Sequence, residues 1–443
     1  YFHSVTLDKD ECKGCTNCIK SCPTEAIRVR NGKATIINER CIDCGQCIKV
    51  CPYHAKKAIT DSLDLLTDYK FNVALPAPSL YGQFKNTFNR TSILAAFMKI
   101  GFQDVFEVAY GAEAVTEATR QLLKNKSLPR PLISSACPSV VKLIQQKYPS
   151  LIEHVVKIKS PMEISAKMAR EFAIKKTGLN PEEIGVFFIS PCTAKVTCVK
   201  APYEAAVSHV SAVISMKTIY KPLYNAISSY KESGVDLAKS SYEGIRWANS
   251  GGESLALGTD EFIAVDGIPN VITILEEIEN DRLQDVEFVE ALSCTGGCLG
   301  GPLAIENVYV AKTRLKKIID SARETGQITD LSDVNVENMA WKKTLKPMPV
   351  RMLNNDKQIA LHMLDEMNQI YDLLPKLDCG SCGSPNCMAL SEDIVRGSAT
   401  ENDCIFKLRE KVHELAQQMF DLELMSPRVF NDNRNKKKRD EKK

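Results

Sequence analysis

The chain lacks any apolar stretch long enough to form a transmembrane helix, and no secretory signal opens it. It also lacks an excess of either charge, because 57 Lys and Arg residues nearly balance 55 Asp and Glu residues. An even balance gives no support to binding of nucleic acid or of an anionic membrane, so we expect neither as a partner. A chain of 443 residues with 44% hydrophobic content predicts about two to four domains with a sizeable core.

Cysteine, by contrast, is abundant, with 17 residues, most of them in short CxxC-type spacings. Such spacing favours metal clusters over disulfides, and thiolate is the soft ligand that iron–sulfur chemistry uses. Because thiols and their clusters persist in a reducing compartment, we expect a cytoplasmic location.

One cysteine pattern occurs twice within the first 60 residues. The pattern, Cys-x2-Cys-x2-Cys-x3-Cys-Pro, runs from Cys12 to Pro23 and again from Cys41 to Pro52. It is the run of bacterial two-cluster ferredoxins, in which the fourth cysteine of each run binds the other cluster. Zinc also uses CxxC pairs, but the duplicated pattern makes zinc the weaker alternative. The pattern therefore predicts one 4Fe–4S cluster on Cys12, Cys15, Cys18 and Cys51, and a second on Cys22, Cys41, Cys44 and Cys47. Between the runs, Asn31-Gly32 predicts a β-hairpin within residues 26–37.

Four more cysteines follow short apolar runs in the central part of the chain. Cys137 lies in SSACP (134–138), Cys192 in SPCTAK (190–195), and Cys294 and Cys298 in the glycine-rich turn CTGGC (294–298). Glycine has no Cβ, so backbone amides in such a turn can approach a cluster closely. Since a 4Fe–4S cluster normally takes four thiolates, these strand ends together deliver one set of ligands.

The three segments, in this order, resemble the signatures of the iron-only (FeFe) hydrogenases, which read TSCCP, MPCxxK and a glycine-rich CxxxC. The resemblance covers about residues 1–400. It implies that the four cysteines hold the 4Fe–4S part of an H-cluster. Cys298 would bridge to a diiron subsite that carries CO, cyanide and a dithiolate. The turn Ala77-Pro78-Ser79 would line the diiron pocket, and Lys195 would contact a cyanide.

Several signature positions depart from those of the highly active hydrogenases. Those enzymes have a proton-relaying cysteine where this chain has Ala136, and methionines where it has Ser190 and Leu292. They also have a proton-path glutamate where this chain has Cys198. Cys198 is either a substitute relay or a small buried residue, and we favour the second because free cysteine is often buried and inert. The mixture resembles the sensory hydrogenases and implies slow turnover.

A last group of cysteines occupies residues 379–404, with the start CGSCG. It resembles a small iron–sulfur domain and implies a further 4Fe–4S cluster, although a lone four-cysteine site also fits zinc. Its ligands would be Cys379, Cys382, Cys387 and Cys404. Sixteen cysteines are then assigned to four clusters, and Cys198 is the one left over.

Strand-like and helical runs alternate between residues 61 and 350, which predicts α/β architecture. Ligands gather outside the carboxyl ends of strands in such folds, where the central cysteines fall. The predicted fold is a two-lobed α/β catalytic domain, with a ferredoxin-like α+β domain before it and a small helical iron–sulfur domain after it. A second lobe is expected to begin near Ser208. The predicted strands are 71–75, 105–109, 131–133, 184–189, 212–215, 244–248, 262–265 and 286–292, and the helices are 112–123, 140–148, 271–278 and 304–322.

The end of the chain predicts a helix and a tail. Apolar residues recur after Cys404 at alternating spacings of four and three, which is typical of a coiled-coil dimer. The segment is short, so packing against the rest of the protein is an equal alternative. Residues 431–443 are polar and basic, which predicts disorder. The apolar positions are Leu408, Val412, Leu415, Met419 and Leu422.

Together these features predict a sensory FeFe hydrogenase that slowly interconverts protons, electrons and H2 at an H-cluster. Three further 4Fe–4S clusters would exchange electrons with a redox or signalling partner, and H-cluster maturation proteins would be transient partners. The alternative is a non-catalytic electron-transfer or assembly protein that holds the 4Fe–4S part only; Lys195 and the 77–79 turn count against it. The predicted domains are 1–60, 61–350 and 351–405, followed by a helix at 406–428 and a tail at 429–443.

Overall fold

The computed structural model describes residues 2–229, 237–331 and 336–425. The predicted tail, 429–443, lies outside these residues. The chain divides into two compact units. The first contains Tyr1–Lys13, Ser21–Ala26 and Ile36–Val350, and the second contains Gly14–Lys20, Ile27–Thr35 and Arg351–Lys443.

Both strands and helices run through the described residues. The strands there are β1 (Val5–Leu7), β2 (Ile27–Arg30), β3 (Lys33–Ile36), β4 (Lys56–Ala58), β5 (Phe71–Pro76), β6 (Asp104–Val105), β7 (Leu132–Ile133), β8 (Ile184–Ser190), β9 (Ala212–Ser215), β10 (Phe262–Asp266) and β11 (Phe288–Leu292). The helices there are α1 (Asn17–Lys20), α2 (Gln46–Lys49), α3 (Arg90–Lys99), α4 (Val108–Leu123), α5 (Pro138–Lys147), α6 (Pro161–Thr177), α7 (Thr193–Lys200), α8 (Met216–Ser228), α9 (Tyr242–Arg246), α10 (Gly252–Leu257), α11 (Ile268–Glu279), α12 (Val308–Glu324), α13 (Val336–Met339), α14 (Lys357–Leu373), α15 (Cys387–Val395) and α16 (Ile405–Leu424).

A four-stranded parallel sheet forms the larger core of the first unit, with strand order β6-β5-β8-β9. Every residue of β8 is buried, which is the pattern of a parallel strand covered on both faces. Helices α3, α6 and α8 pack against the sheet. The predicted strands at 71–75, 184–189 and 212–215 are confirmed within one residue.

A second parallel sheet, with order β10-β11-β7, lies in the same unit, and α11 packs against it. Its strand β7 precedes β8 in the chain, whereas β9, which follows Ser208, belongs to the first sheet. The two sheets are therefore interleaved in sequence, and the expected start of a second lobe near Ser208 is wrong. The mixed α/β architecture itself is confirmed.

Two predicted strands are wrong. Of the run 105–109, only Val105 is in a strand, and α4 begins at Val108. The run 244–248 is mostly helical, in α9. There α9 approaches α4 so closely that a Cβ on Gly244 would lie 2.0 Å from the carbonyl oxygen of Ala109. Short apolar runs have no distinctive period, so tertiary contacts of this kind decide their conformation.

The second unit combines the predicted hairpin with the C-terminal helices. Asn31 and Gly32 both have positive φ, as a two-residue hairpin turn between β2 and β3 requires. Arg28 and Arg30 donate to the carboxylate of Asp393 on α15, at 2.6 and 2.8 Å. A small apolar core includes Ile370 of α14 together with Cys387 and Cys404. Among the described residues, no helix has the length and apolarity needed to cross a membrane.

Candidate functional site

Four strand ends of the first unit converge on one cavity. The ends of β5, β7, β8 and β11 lead respectively into Ala77, Cys137, Cys192 and Cys294, and all four residues line this cavity. The carboxyl ends of parallel strands commonly form ligand sites, because the loops there are free to vary. The predicted gathering of the three cysteine segments therefore takes place at this edge of the two sheets.

The loops that carry the cysteines are fixed by local bonds. Cys137 immediately precedes α5, and Cys192 immediately precedes α7. At the N-terminus of a helix, the positive end of the helix dipole favours a thiolate. The hydroxyl of Ser190 accepts from the amide of Cys192 at 3.0 Å. A Cβ on Gly297, whose φ is +74°, would lie 2.7 Å from the amide nitrogen of Ser250, so only glycine allows the third segment to approach this closely.

The four thiols form one electrostatic group. Burial raises the pKa of the Cys192 thiol well above its usual range, and the other three thiols raise it further. Burial likewise raises the pKa of Cys298 to about 12, with Cys137 and Cys294 adding to the effect. Neighbouring thiols that oppose each other's ionisation suit a metal cluster, in which iron replaces the protons. The donor set therefore fits a 4Fe–4S cluster held by Cys137, Cys192, Cys294 and Cys298.

The remaining wall of the cavity carries the other predicted site residues. Ala77, Pro78, Ser79, Ala136 and Lys195 line it. The hydroxyl of Ser79 is buried without a hydrogen-bond partner in the described part of the chain, and the Lys195 side chain makes no hydrogen bond or ion pair there. Two unpaired donors suit a ligand with anionic groups, such as cyanide. Cys198 is buried but is not one of the described residues that line the cavity.

Comparison with protein-family models matches "Iron only hydrogenase large subunit, C-terminal domain" over residues 70–259 and 253–302, more than half of the chain. The chain belongs to this hydrogenase family. Two further models match outside that region: a 4Fe-4S dicluster domain at residues 4–52 and an Fe-S cluster family at residues 374–406. Iron–sulfur cofactors are thus a property of the family domains that the chain contains.

Curated relatives include the periplasmic [Fe] hydrogenase large subunit of Nitratidesulfovibrio vulgaris, 31% identical over 54% of this chain and 60% of that protein. Iron hydrogenase 1 of Clostridium pasteurianum is 26% identical over 70% of this chain and 68% of that protein. This chain thus spans about two thirds or less of the length of these relatives. A cytosolic Fe-S cluster assembly factor of Neosartorya fischeri is 32% identical over 21% of this chain and 16% of that protein. Among solved structures, an FeFe hydrogenase variant from Chlamydomonas reinhardtii has a TM-score of 0.49 and 15% identity, covering 65% of this chain and 98% of that one.

Two residues that line the cavity were not predicted from the sequence. Glu253 and Glu290 both line the cavity and are both buried. Ser134, in the first cysteine segment, donates to Glu253 at 2.6 Å, and Glu290 accepts from the amides of Gly251 and Ser254 at 2.9 Å each. Burial raises the pKa of both carboxyl groups, and the charge of Glu290 raises that of Glu253 further. Both effects favour the protonated form of the pair.

The signal for this pair along the chain is weak. Glu290 lies four residues before Cys294, at the end of a predicted strand, and Glu253 follows two glycines. Nothing in the chain order places residue 253 beside residue 290. The bond from Ser134 to Glu253, and the bonds from Gly251 and Ser254 to Glu290, hold the two carboxyl groups at the same wall.

The ferredoxin-type cysteines are distributed over both units. Cys22, Cys41, Cys44 and Cys47 lie in the first, where burial raises the pKa of Cys44 and the other three thiols add to it. Because these thiols affect the ionisation of Cys44, the four predicted ligands of the second ferredoxin-type cluster lie close together. Of the other predicted set, Cys12 and Cys51 lie in the first unit, and Cys15 and Cys18 in the second.

The C-terminal cysteines lie within the second unit. Cys387 and Cys404 belong to its small core, and Cys382 packs against it. Cys379 is exposed, and bonds from Ser381 lower the pKa of its thiol, which favours a thiolate ligand.

The loop of the second ferredoxin-type set touches the central site directly. Thr193, which follows Cys192, donates to the backbone carbonyl of Asp43 at 2.5 Å. A Cβ on Gly45 would lie 2.5 Å from Pro302, four residues after Cys298. The second ferredoxin-type cysteine set and the cavity cysteines are therefore linked by two contacts, one through Thr193 and one through Pro302.

Proposed function

We propose that this protein is an FeFe hydrogenase of the sensory type, which slowly interconverts two protons and two electrons with H2. The observation that carries the proposal is one cavity that gathers four thiols, the unpaired donors of Ser79 and Lys195, and the carboxyl pair of Glu253 and Glu290. A structural cluster needs only the thiols. The other groups have a use only if a second, anionic group binds beside the cluster.

The residues divide into holding and proton-supplying roles. Cys137, Cys192, Cys294 and Cys298 would hold a 4Fe–4S cluster, with Cys298 shared with a diiron subsite that carries CO, cyanide and a dithiolate. When bound, that subsite supplies the redox chemistry of hydrogen. Ser79 and Lys195 would donate to its anionic ligands.

The residues found at three signature positions support slow turnover and a sensing role. Ala136 offers only a methyl group beside Cys137, and Leu292 stands before Cys294. Cys198, in place of a proton-path glutamate, is outside the wall, and burial raises the pKa of its thiol far above neutrality. A thiol in that state is a poor proton relay.

Three further 4Fe–4S clusters would carry electrons to a redox or signalling partner. The contact of Thr193 with Asp43, and of Gly45 with Pro302, supports direct passage between the second ferredoxin-type cluster and the central site. H-cluster maturation proteins would deliver the diiron subsite, and α16 would join two copies of the chain.

An assembly-type function without the diiron subsite is the second candidate, supported by the short match to an Fe-S cluster assembly factor. Infrared spectroscopy separates the two. Anaerobically matured protein should show stretching bands of bound CO and cyanide, together with measurable H2 evolution from a chemical electron donor. Protein with four loaded clusters but no such bands after treatment with maturation proteins would contradict the hydrogenase proposal.

A further inference from the structure

A buried carboxylate lies within the second ferredoxin-type cysteine run and has no assigned role. Asp43 is located between Cys41 and Cys44, and none of its surface is exposed. Its Oδ1 lies 4.0 Å from the sulfur of Cys41. Because Cys41 is a predicted ligand of the second ferredoxin-type cluster, the negative charge of Asp43 would lie directly beside that cluster.

The two ferredoxin-type runs differ at this position. The residue before the second cysteine is Gly14 in the first run and Asp43 in the second run. Both residues have positive φ, +66° and +53°, a conformation that glycine adopts freely and that strains most other residues. Glycine would therefore satisfy the backbone in both runs. The presence of aspartate in this conformation indicates that its side chain has a use there.

Three segments of the first unit bind the Asp43 side chain. Its Oδ2 accepts from Nζ of Lys142 at 3.0 Å, and Nδ1 of His3 lies 2.9 Å from the same oxygen. The amide of Val5 donates to Oδ1 at 3.3 Å. The Lys142 side chain is only 16% exposed, so water and salt screen this ion pair less than they screen surface pairs.

The contacts of Asp43 extend to both helices that begin at cavity cysteines. Lys142 lies on α5, which begins directly after Cys137. Thr193, the first residue of α7, donates to the backbone carbonyl of Asp43 at 2.5 Å. The ion pair therefore links the loop of the second ferredoxin-type set to the helix that follows Cys137.

Reduction adds one negative charge to an iron–sulfur cluster, so fixed charges beside the cluster shift its potential. An unpaired Asp43 carboxylate would oppose reduction, and the Lys142 ammonium offsets this effect. We propose that Asp43 and Lys142 are positioning residues whose paired charges set the reduction potential of the second ferredoxin-type cluster. The inference rests on the proposed function for the electron path to the cavity, but the effect on this potential requires no diiron subsite.

The test uses the full chain with its iron–sulfur clusters and without the diiron subsite, in redox titrations followed by electron paramagnetic resonance. The signal that Cys47→Ser alters or removes identifies the second ferredoxin-type cluster. Lys142→Met should lower the potential of this cluster, because an uncompensated carboxylate remains. Asp43→Asn should raise it, because an uncompensated ammonium remains. Each shift should be about tenfold in the equilibrium constant for reduction, or roughly 59 mV for one electron.

Opposite signs separate a charge effect from structural damage, which would not follow the sign of the removed charge. Lys142→Arg keeps the charge and should keep the parent potential. Glu153 and Lys157 form an exposed ion pair at 2.5 Å, and Glu153→Gln and Lys157→Met are the matched controls, which should leave the potential unchanged. Shifts of the same sign in Lys142→Met and Asp43→Asn, or a shift in Lys142→Arg as large as that in Lys142→Met, would overturn the inference.

Two further measurements keep the outcomes distinct. In a His3→Gln background, where no imidazole can replace the lost charge, Lys142→Met and Asp43→Asn should again shift the potential in opposite directions. Iron analysis shows whether each variant is loaded, and if Asp43→Asn loses the cluster, the two Lys142 variants still decide the inference. Matured parent protein without bands of bound CO and cyanide would refute the hydrogenase proposal instead, and the potentials would still decide the role of the ion pair.

Discussion

Ala136 presents a methyl group to the cavity, immediately before Cys137. A methyl group neither donates nor accepts a proton. Apart from cysteines, the titratable side chains among the described residues of that wall are Lys195, Glu253 and Glu290. At the scale of single residues, we therefore propose that proton supply depends on the carboxyl pair rather than on a thiol.

Ala136→Cys should raise H2 evolution, because a thiol at this position can pass a proton to the reacting centre. The gain should be partial, since Cys198 lies outside the cavity wall and does not extend the path. The measurement is H2 evolution with a chemical donor, compared at equal diiron loading as judged by infrared bands. An equally loaded variant that is no faster than the parent would show that proton delivery at residue 136 does not limit turnover.

Glu253→Gln should lower H2 evolution by at least about tenfold, because general acid–base groups typically contribute 10²–10⁴-fold to a rate. The raised pKa of Glu253 favours its protonated form, which can act as an acid, whereas an amide cannot. Glu287→Gln is the matched control, since that carboxylate pairs with Lys126 at 2.6 Å outside the cavity. Equal rates for the Glu253 variant and this control would contradict the role of the pair.

At the scale of elements, α16 exposes its entire apolar stripe. All of its residues are at least partly exposed, with Leu415 at 48% and Met419 at 72%. Read as heptads, Ile405, Val412 and Met419 take position a, and leucines take position d. β-branched residues at a with leucine at d favour a parallel two-stranded coiled coil.

Leu415→Lys should therefore convert a dimer into a monomer, because it places two charges in the apolar interface. The mass of the full chain, measured by light scattering, reports the change. Gln417→Lys, on the outer face of the same helix, is the matched control and should leave the dimer intact. A monomeric parent would remove the basis for the coiled-coil proposal.

The loop between Cys44 and Cys47 makes a close contact that a single methyl group would disturb. Gly45 and Gly178 have φ values of +70° and +69°, but only Gly45 has neighbours near the position that a Cβ would take, with Pro302 at 2.5 Å. Gly178→Ala should cost about 1 kcal/mol of unfolding free energy, from backbone conformation alone. Gly45→Ala should cost a further 1–3 kcal/mol, roughly, from overpacking. Denaturant titration under anaerobic conditions measures both, and equal losses would contradict the contact.

At the scale of the whole molecule, the cysteine count predicts the metal content. Four sets of four thiolates should bind about sixteen iron atoms before any diiron subsite is added. Cys382→Ser should remove about four of these and leave the cavity cluster unchanged in its spectra. Metal analysis of the reconstituted full chain is the measurement. Zinc in place of the missing iron, in the parent, would reassign the C-terminal site.

Local patterns along the chain were enough to predict the family and the α/β class. Cysteine spacing is a property of neighbouring residues, and buried parallel strands such as β8 are continuous apolar runs. The resemblance also picked out Ala77, Lys195 and the cysteines of the cavity, since each lies within a short motif at a strand end.

Features that depend on distant contacts were settled only by the tertiary structure. In the tertiary structure the strands of the two sheets alternate along the chain, and residues 244–248 lie mostly in a helix. Glu253 and Glu290 also lie close enough to affect each other's ionisation. The tertiary structure also excluded Cys198 from the cavity wall. A carboxyl group acquires its proton affinity from burial and from charges that other elements bring to it, and no spacing along the chain encodes these neighbours.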